Sequence, residues 1–291
     1  MRSRRLTAAV GALAAAALTV GGLAVGPTAA GAQTNPYERG PAPTATSVTQ
    51  QRGPFAFQQT TVTGSQQLGF NRGTIYYPTA TNQGTFGAVA AIPGFVSPES
   101  FISWTGPFLA SNGFVVMTLE PFSGFDFPSS RADQLQAALD YLVDSSSVRT
   151  RIDRTRLGVI GHSMGGGGAL EAARDNPALQ ATVGLQPWDL GASFSNLRVP
   201  SLQVGVSDDY IAPPGSNAEI YYQQIPAASE KAYLEVGSGT HFLGNVFNVE
   251  QARSTLAWMK RYIDNDTRYS QFLCPAPSGG LIVEYRDTCP T

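Results

Sequence analysis

The stretch Leu157-Gly158-Val159-Ile160-Gly161-His162-Ser163-Met164-Gly165-Gly166-Gly167-Gly168-Ala169-Leu170-Glu171-Ala172-Ala173-Arg174 decides the fold. An apolar, strand-like run leads into Gly-x-Ser-x-Gly, and a helix-like run leads out of it. A strand that turns this abruptly into a helix forces the residue at the bend into a strained backbone. The glycines two positions either side remove Cβ atoms that would clash. The serine hydroxyl is thereby raised above the sheet edge, at the start of a helix. This is the context expected of a nucleophile, as against a glycine-rich turn that merely packs a helix on a strand.

Outward from this turn the chain alternates between two patterns. Phe86–Ile92, Phe114–Leu119, Ala181–Leu185, Leu202–Val206 and Ala232–Val236 are apolar runs without alternation, as in parallel strands covered on both faces. Thr74–Tyr77 reads as an earlier strand. Leu135, Ala138, Leu139 and Leu142 recur at helical spacing, and Ser130-Arg131-Ala132-Asp133 reads as the capping box that opens that helix. A last helix spans about Val249 to Ile263, with Leu256, Met259 and Tyr262 on its stripe. Strands alternating with helices define an α/β class with a doubly wound, mostly parallel sheet.

The N-terminus reads as an address. Arg2, Arg4 and Arg5 precede an Ala/Leu/Val/Gly run to Val25, and Ala30-Gly31-Ala32 supplies a cleavage site. The expectation is a signal peptide over residues 1–32, a single catalytic domain over 33–291, and a secreted product. No other segment is apolar for long enough to span a bilayer, so no stable membrane insertion is expected. The formal net charge of the 291-residue chain is −2, and loss of the three arginines makes it more negative. Scattered basic residues in a mildly acidic chain argue against nucleic acid as a partner. The two cysteines, Cys274 and Cys289, are expected to pair in an oxidising compartment as a C-terminal staple; no histidine lies near to suggest a metal.

A serine hydroxyl needs a base to take its proton and an acid to orient that base. The chain has two histidines. His162 lies inside the elbow and is expected to line the substrate cleft. His241, in a loop after the strand ending at Val236, is placed to hang over the serine. The acid belongs between serine and histidine in chain order, where Asp208 and Asp209 both qualify by position. Oxyanion donors are expected at the backbone N–H of Met164 and of Phe95, in the loop after Ile92. Trp188, at a strand end, is expected beside the site, with Phe95, Tyr210, Ile211 and Phe242 as further apolar neighbours. No cofactor and no metal is required by this chemistry.

With these residues in place the chain resembles the actinobacterial cutinases and poly(ethylene terephthalate) hydrolases. The resemblance rests on Asn35–Pro41, Pro93-Gly94-Phe95, Ser103-Trp104, Gly113–Val116, Ala137–Leu142, Gly161–Gly168, Pro187-Trp188, Asp209 with Ile211-Ala212-Pro213, and His241-Phe242. It implies an α/β-hydrolase fold without a large lid. It selects Asp209 over Asp208, and implies Phe95 and Met164 as oxyanion donors. It also implies His162, Trp188 and Ile211 in a polyester cleft and a Cys274–Cys289 disulfide. The expected substrate is a polymeric or small ester, hydrolysed by a monomer; the alternative is a carboxylesterase or triacylglycerol lipase with no significant polymer activity. Three departures touch the expected cleft. Glu120–Phe127 is aromatic where the family is polar, Gln186 stands where threonine is usual, and Leu243-Gly244 replaces Ala-Pro.

Overall fold

Long unbroken apolar runs make the central strands, and polar or glycine-bearing segments make the edges. The computed structural model describes residues 35–289; the expected signal peptide lies outside them. The strands are β1 (Phe57–Ser65), β2 (Phe70–Pro78), β3 (Phe86–Ile92), β4 (Phe114–Glu120), β5 (Ile152–His162), β6 (Ala181–Leu185), β7 (Ser201–Val206), β8 (Lys231–Val236) and β9 (Ile282–Asp287). The helices are α1 (Thr105–Ser111), α2 (Pro128–Asp144), α3 (Met164–Asp175), α4 (Ala218–Gln224) and α5 (Val249–Ile263). Among the described residues the nine strands join one open sheet in the order β1-β2-β4-β3-β5-β6-β7-β8-β9. The six from β4 to β8 run parallel, and β1, β2 and β9 pair antiparallel at the margins.

Two apolar layers sandwich the sheet. On one face Leu135, Ala138, Leu139 and Leu142 of α2 pack with Leu170 and Ala173 of α3 and Tyr221 of α4. On the other, Phe108 and Leu109 of α1 meet Leu256, Trp258, Met259 and Ile263 of α5. Every residue of β3 is buried, which is why its sequence shows no alternation. The expected capping box does not open α2. The helix begins earlier, with Pro128 in its first turn and no side-chain cap at Phe127. Proline costs nothing there, because its missing N–H would lack a partner anyway.

The two cysteines form the expected disulfide, closing a 15-residue separation. It ties the segment after α5 to the end of β9, which pairs with β8 and so backs the strand leading to His241. Among the described residues no helix is long and apolar enough to cross a membrane.

Candidate active site

Parallel strands deliver their following loops to one edge of the sheet, and the candidate residues all follow the C-terminal ends of such strands. Phe95 follows β3, Ser163 follows β5, Trp188 follows β6, Asp209 follows β7 and His241 follows β8.

Ser163 sits at the turn between β5 and α3 with φ 55° and ψ −122°. Its conformation is held by main-chain bonds. The Ser163 N–H donates to Leu185 O (3.0 Å), and Ser163 O accepts from Gly167 (3.0 Å) and Trp188 (2.9 Å). The two flanking glycines are required by crowding. A Cβ on Gly161 would overlap the Gly165 carbonyl, and one on Gly165 would overlap the carbonyls of Ile92 and Pro93. Val96 and Gln186, after β3 and β6, also have positive φ. Three of the five such non-glycine residues among those described therefore lie along this one edge, and backbone strain of this kind gathers where function over-determines the chain.

The three expected groups converge. His241 Nε2 is 2.8 Å from Ser163 Oγ, and His241 Nδ1 is 2.8 Å from Asp209 Oδ2. All three residues are nearly buried, Ser163 retaining 6% exposure. The other carboxylate oxygen, Asp209 Oδ1, accepts from the N–H groups of Ile211 (2.9 Å) and Ala212 (2.8 Å). Burial alone would push this carboxyl up. The His241 hydrogen bond and the two amides outweigh it and hold Asp209 below the ordinary carboxylate range. Asp208 is exposed, so burial separates two residues that chain order alone left equivalent.

Around this series the surface is apolar. Phe95 (49% exposed), Ile211 (55%) and Phe242 (54%) stand open to solvent, and Trp188 is half-buried. Among the described residues the N–H groups of Phe95 and Met164 have no protein acceptor. The Phe95 ring meets Phe125 edge-on at 5.5 Å, and Phe125 and Phe127 are themselves exposed. The aromatic Glu120–Phe127 segment thus extends the rim. Its position is fixed by Arg131, fully buried, which donates to Pro93 O, Gly124 O and Asp126 O at 2.9 to 3.1 Å. Burial lowers this guanidinium to about 10, still charged near neutrality. One side chain therefore ties the loop carrying Phe95 to the loop carrying Phe125.

Sequence reasoning missed that role of Arg131, and also that of Tyr221. The Tyr221 hydroxyl accepts from Asp189 N–H (2.9 Å) and lies 3.0 Å from Asp189 O and 3.1 Å from Asn217 Oδ1, bracing the loop that bears Trp188. The Asp189 carboxyl itself is pushed up to about 7 by burial and by the charge of Glu171. Nothing in the linear sequence signals the ties that matter, Arg131 to Pro93 O and Tyr221 to Asp189, because each joins segments more than 30 residues apart and ends on main-chain atoms.

One expectation is corrected. His162 does not line the cleft: it is 1% exposed and its Nε2 lies 2.8 Å from the His241 carbonyl oxygen. At a strand end, successive side chains point to opposite faces, and this one points under the His241 loop instead of toward the exposed apolar residues. Burial and the neighbouring His241 lower it to about 3, so its ring is uncharged.

An open, mostly parallel sheet with a serine on the turn after a central strand, in hydrogen-bonded series with histidine and aspartate, defines an α/β-hydrolase. The comparisons make the class specific. The chain belongs to the PET hydrolase-like family, whose model matches residues 31–290. A bis(hydroxyethyl) terephthalate hydrolase of Streptomyces coelicolor is 52% identical over 288 residues, covering 99% of this chain and 92% of that protein. Cutinase 1 of Thermobifida cellulosilytica is 47% identical over 261 residues, 88% of this chain and 99% of its own. Cutinase est1 of Thermobifida alba is 48% identical over the same length, with 88% of each chain covered.

Proposed function

We propose that this protein is a secreted carboxylic ester hydrolase that cleaves polyesters such as cutin or poly(ethylene terephthalate), together with short acyl esters, through an acyl-enzyme on Ser163. The observation that carries the reading is the unbroken pair of 2.8 Å contacts from Ser163 Oγ through His241 to Asp209. Ser163 Oγ attacks the ester carbonyl as His241 Nε2 takes its proton. Asp209 keeps the imidazole in the tautomer that can accept, and balances the imidazolium that forms. The developing oxyanion rests on the N–H groups of Phe95 and Met164. His241 then protonates the departing alcohol. Water, deprotonated by the same nitrogen, attacks the acyl carbon, the acid leaves, and Ser163 recovers its proton.

Substrate class follows from the rim. Ser163 and Asp209 are only 46 positions apart and Asp209 and His241 only 32, which leaves no room for a substantial cap. Phe95, Trp188, Ile211 and Phe242, extended by Phe125 and Phe127, offer an apolar surface open to solvent. Such an open surface suits a chain segment at the surface of a solid better than a long lipid needing enclosure. The 52% identity to a bis(hydroxyethyl) terephthalate hydrolase and the near-equal identity to cutinases support the same assignment. The signal-peptide pattern of residues 1–32 and the disulfide support export. A monomer suffices for this reaction, since one chain supplies every group used.

The test is release of soluble product from polyester film, run beside p-nitrophenyl esters of graded chain length. Expected are product from film and higher kcat/KM on the butyrate than on the palmitate ester. Hydrolysis of tributyrin with no release from film would replace the proposal by a carboxylesterase or lipase.

A further inference from the structure

The loop that carries His241 belongs to no strand, yet side chains from three other elements take up its carbonyl oxygens. His162, at the end of β5, reaches His241 O at 2.8 Å. Trp104, just before α1, donates Nε1–H to Gly244 O at 2.8 Å. Gln251 of α5 donates to Leu243 O and Val246 O, both at 2.8 Å. Of these, only His162 grips the candidate base itself.

The tautomer of His162 follows from its partner. A carbonyl oxygen only accepts, so Nε2 must carry the hydrogen and donate. Nδ1 is then a lone-pair nitrogen, and it is buried without a partner. The ring is wedged between two turns. A Cβ on Gly244 would overlap its Cδ2, and a Cβ on Gly94 would come within 3.3 Å of its Nδ1. The ring therefore has little freedom to tilt, and the oxygen it holds is fixed with it.

We propose that His162 is a positioning residue for the reaction: by donating to the His241 carbonyl it sets the height of the His241 ring over Ser163. Consecutive residues of one turn then hold residue 241 at two points, His162 at its backbone and Ser163 at its ring. This rests on the reading of Ser163 as nucleophile and His241 as base. It adds that the elbow fixes its own base, and that His162 acts without touching substrate.

The test compares His162→Phe, which fills the ring volume without a donor, with His162→Gln, whose amide N–H reaches about as far as Nε2. Readouts are kcat and KM on p-nitrophenyl butyrate and the rate of fluorophosphonate labelling at Ser163. A misplacement of about 1 Å costs on the order of 10²-fold in rate. The expected result for His162→Phe is a fall of about 10- to 100-fold in both kcat and labelling rate, with KM within about 2-fold. His162→Gln is expected to recover to within about 5-fold of wild type. Unchanged kcat in His162→Phe, equal losses in both variants, or a change confined to KM overturns the proposal. Should His162→Phe not fold, His162→Met, with similar reach and no N–H, takes its place against His162→Gln with the same expected contrast. Wild-type labelling separates the two levels: no adduct at Ser163 sinks the nucleophile assignment, whereas a normal adduct with insensitive His162 variants sinks the positioning role alone.

Discussion

Ser163→Ala is expected to lower kcat on p-nitrophenyl butyrate by about 10⁵- to 10⁶-fold, the scale seen when a triad nucleophile is removed. The loss is that large because the remaining groups have nothing to act on. His241 has no hydroxyl to deprotonate, and Asp209 orients a base without a partner. A residual rate of about 10³-fold over water is expected from oxyanion donors and binding alone. The fold should persist. The bonds that shape the elbow run from Ser163 N and O, and alanine keeps both. Melting temperature and circular dichroism of the variant provide the control. Loss of less than about 10²-fold would place the nucleophile elsewhere.

Asp209→Asn is expected to lower kcat by about 10⁴-fold with little change in KM. The size follows from the local hydrogen bonds. The Ile211 and Ala212 N–H groups both point at Oδ1 and need an acceptor. The asparagine carbonyl must take that place, which turns its NH₂ toward His241 Nδ1. Two donors cannot face each other, so Nδ1 gives up its hydrogen and the proton moves to Nε2. An Nε2 that already carries hydrogen cannot accept from Ser163. The variant should also lose stability. A carboxyl held below its ordinary value stabilises the fold above the unfolded-state pKa, and that contribution disappears as acid protonates it. The gap in melting temperature between wild type and Asp209→Asn should accordingly narrow on acidification.

How far the sequence was legible depended on how locally each feature is encoded. β3, β6 and α5 match the ranges read from their apolar runs, because burial on both faces, or along one stripe, leaves an unbroken signature. β1 and β9 went unread. They are sheet edges, and neither Phe57-Gln58-Gln59-Thr60-Thr61 nor Ile282-Val283-Glu284-Tyr285 contains a fully buried side chain. α1 and α4 are one to two turns long, too short for a period to register, and α1 contains glycine and proline. The capping-box pattern at Ser130–Asp133 places the start of α2 too late, because Pro128 already opens the helix.

At the site, residue types and chain order led to Ser163 and His241, since only two histidines were available. Choosing between Asp208 and Asp209 needed the resemblance, and their burial agrees with that choice. His162 was assigned to the right region and the wrong side of it. The direction of a ring at a strand end depends on what packs above it, here Gly244 and the His241 carbonyl, 79 residues away. Arg131 and Tyr221 give no signal for the same reason: the contacts that tie loop to loop, to Pro93 O and to the Asp189 main chain, end on carbonyls and amides that every residue type carries alike.

The proposed reaction turns on a covalent bond to one oxygen. Mixing the enzyme with excess p-nitrophenyl ester, quenching with acid within the first turnover and mapping peptide masses reads that bond directly. An added acyl mass on the peptide containing Ser163, absent from Ser163→Ala and lost on further incubation, is the predicted result. Full hydrolysis with no acyl adduct on that peptide, or an adduct that survives in Ser163→Ala, would contradict it.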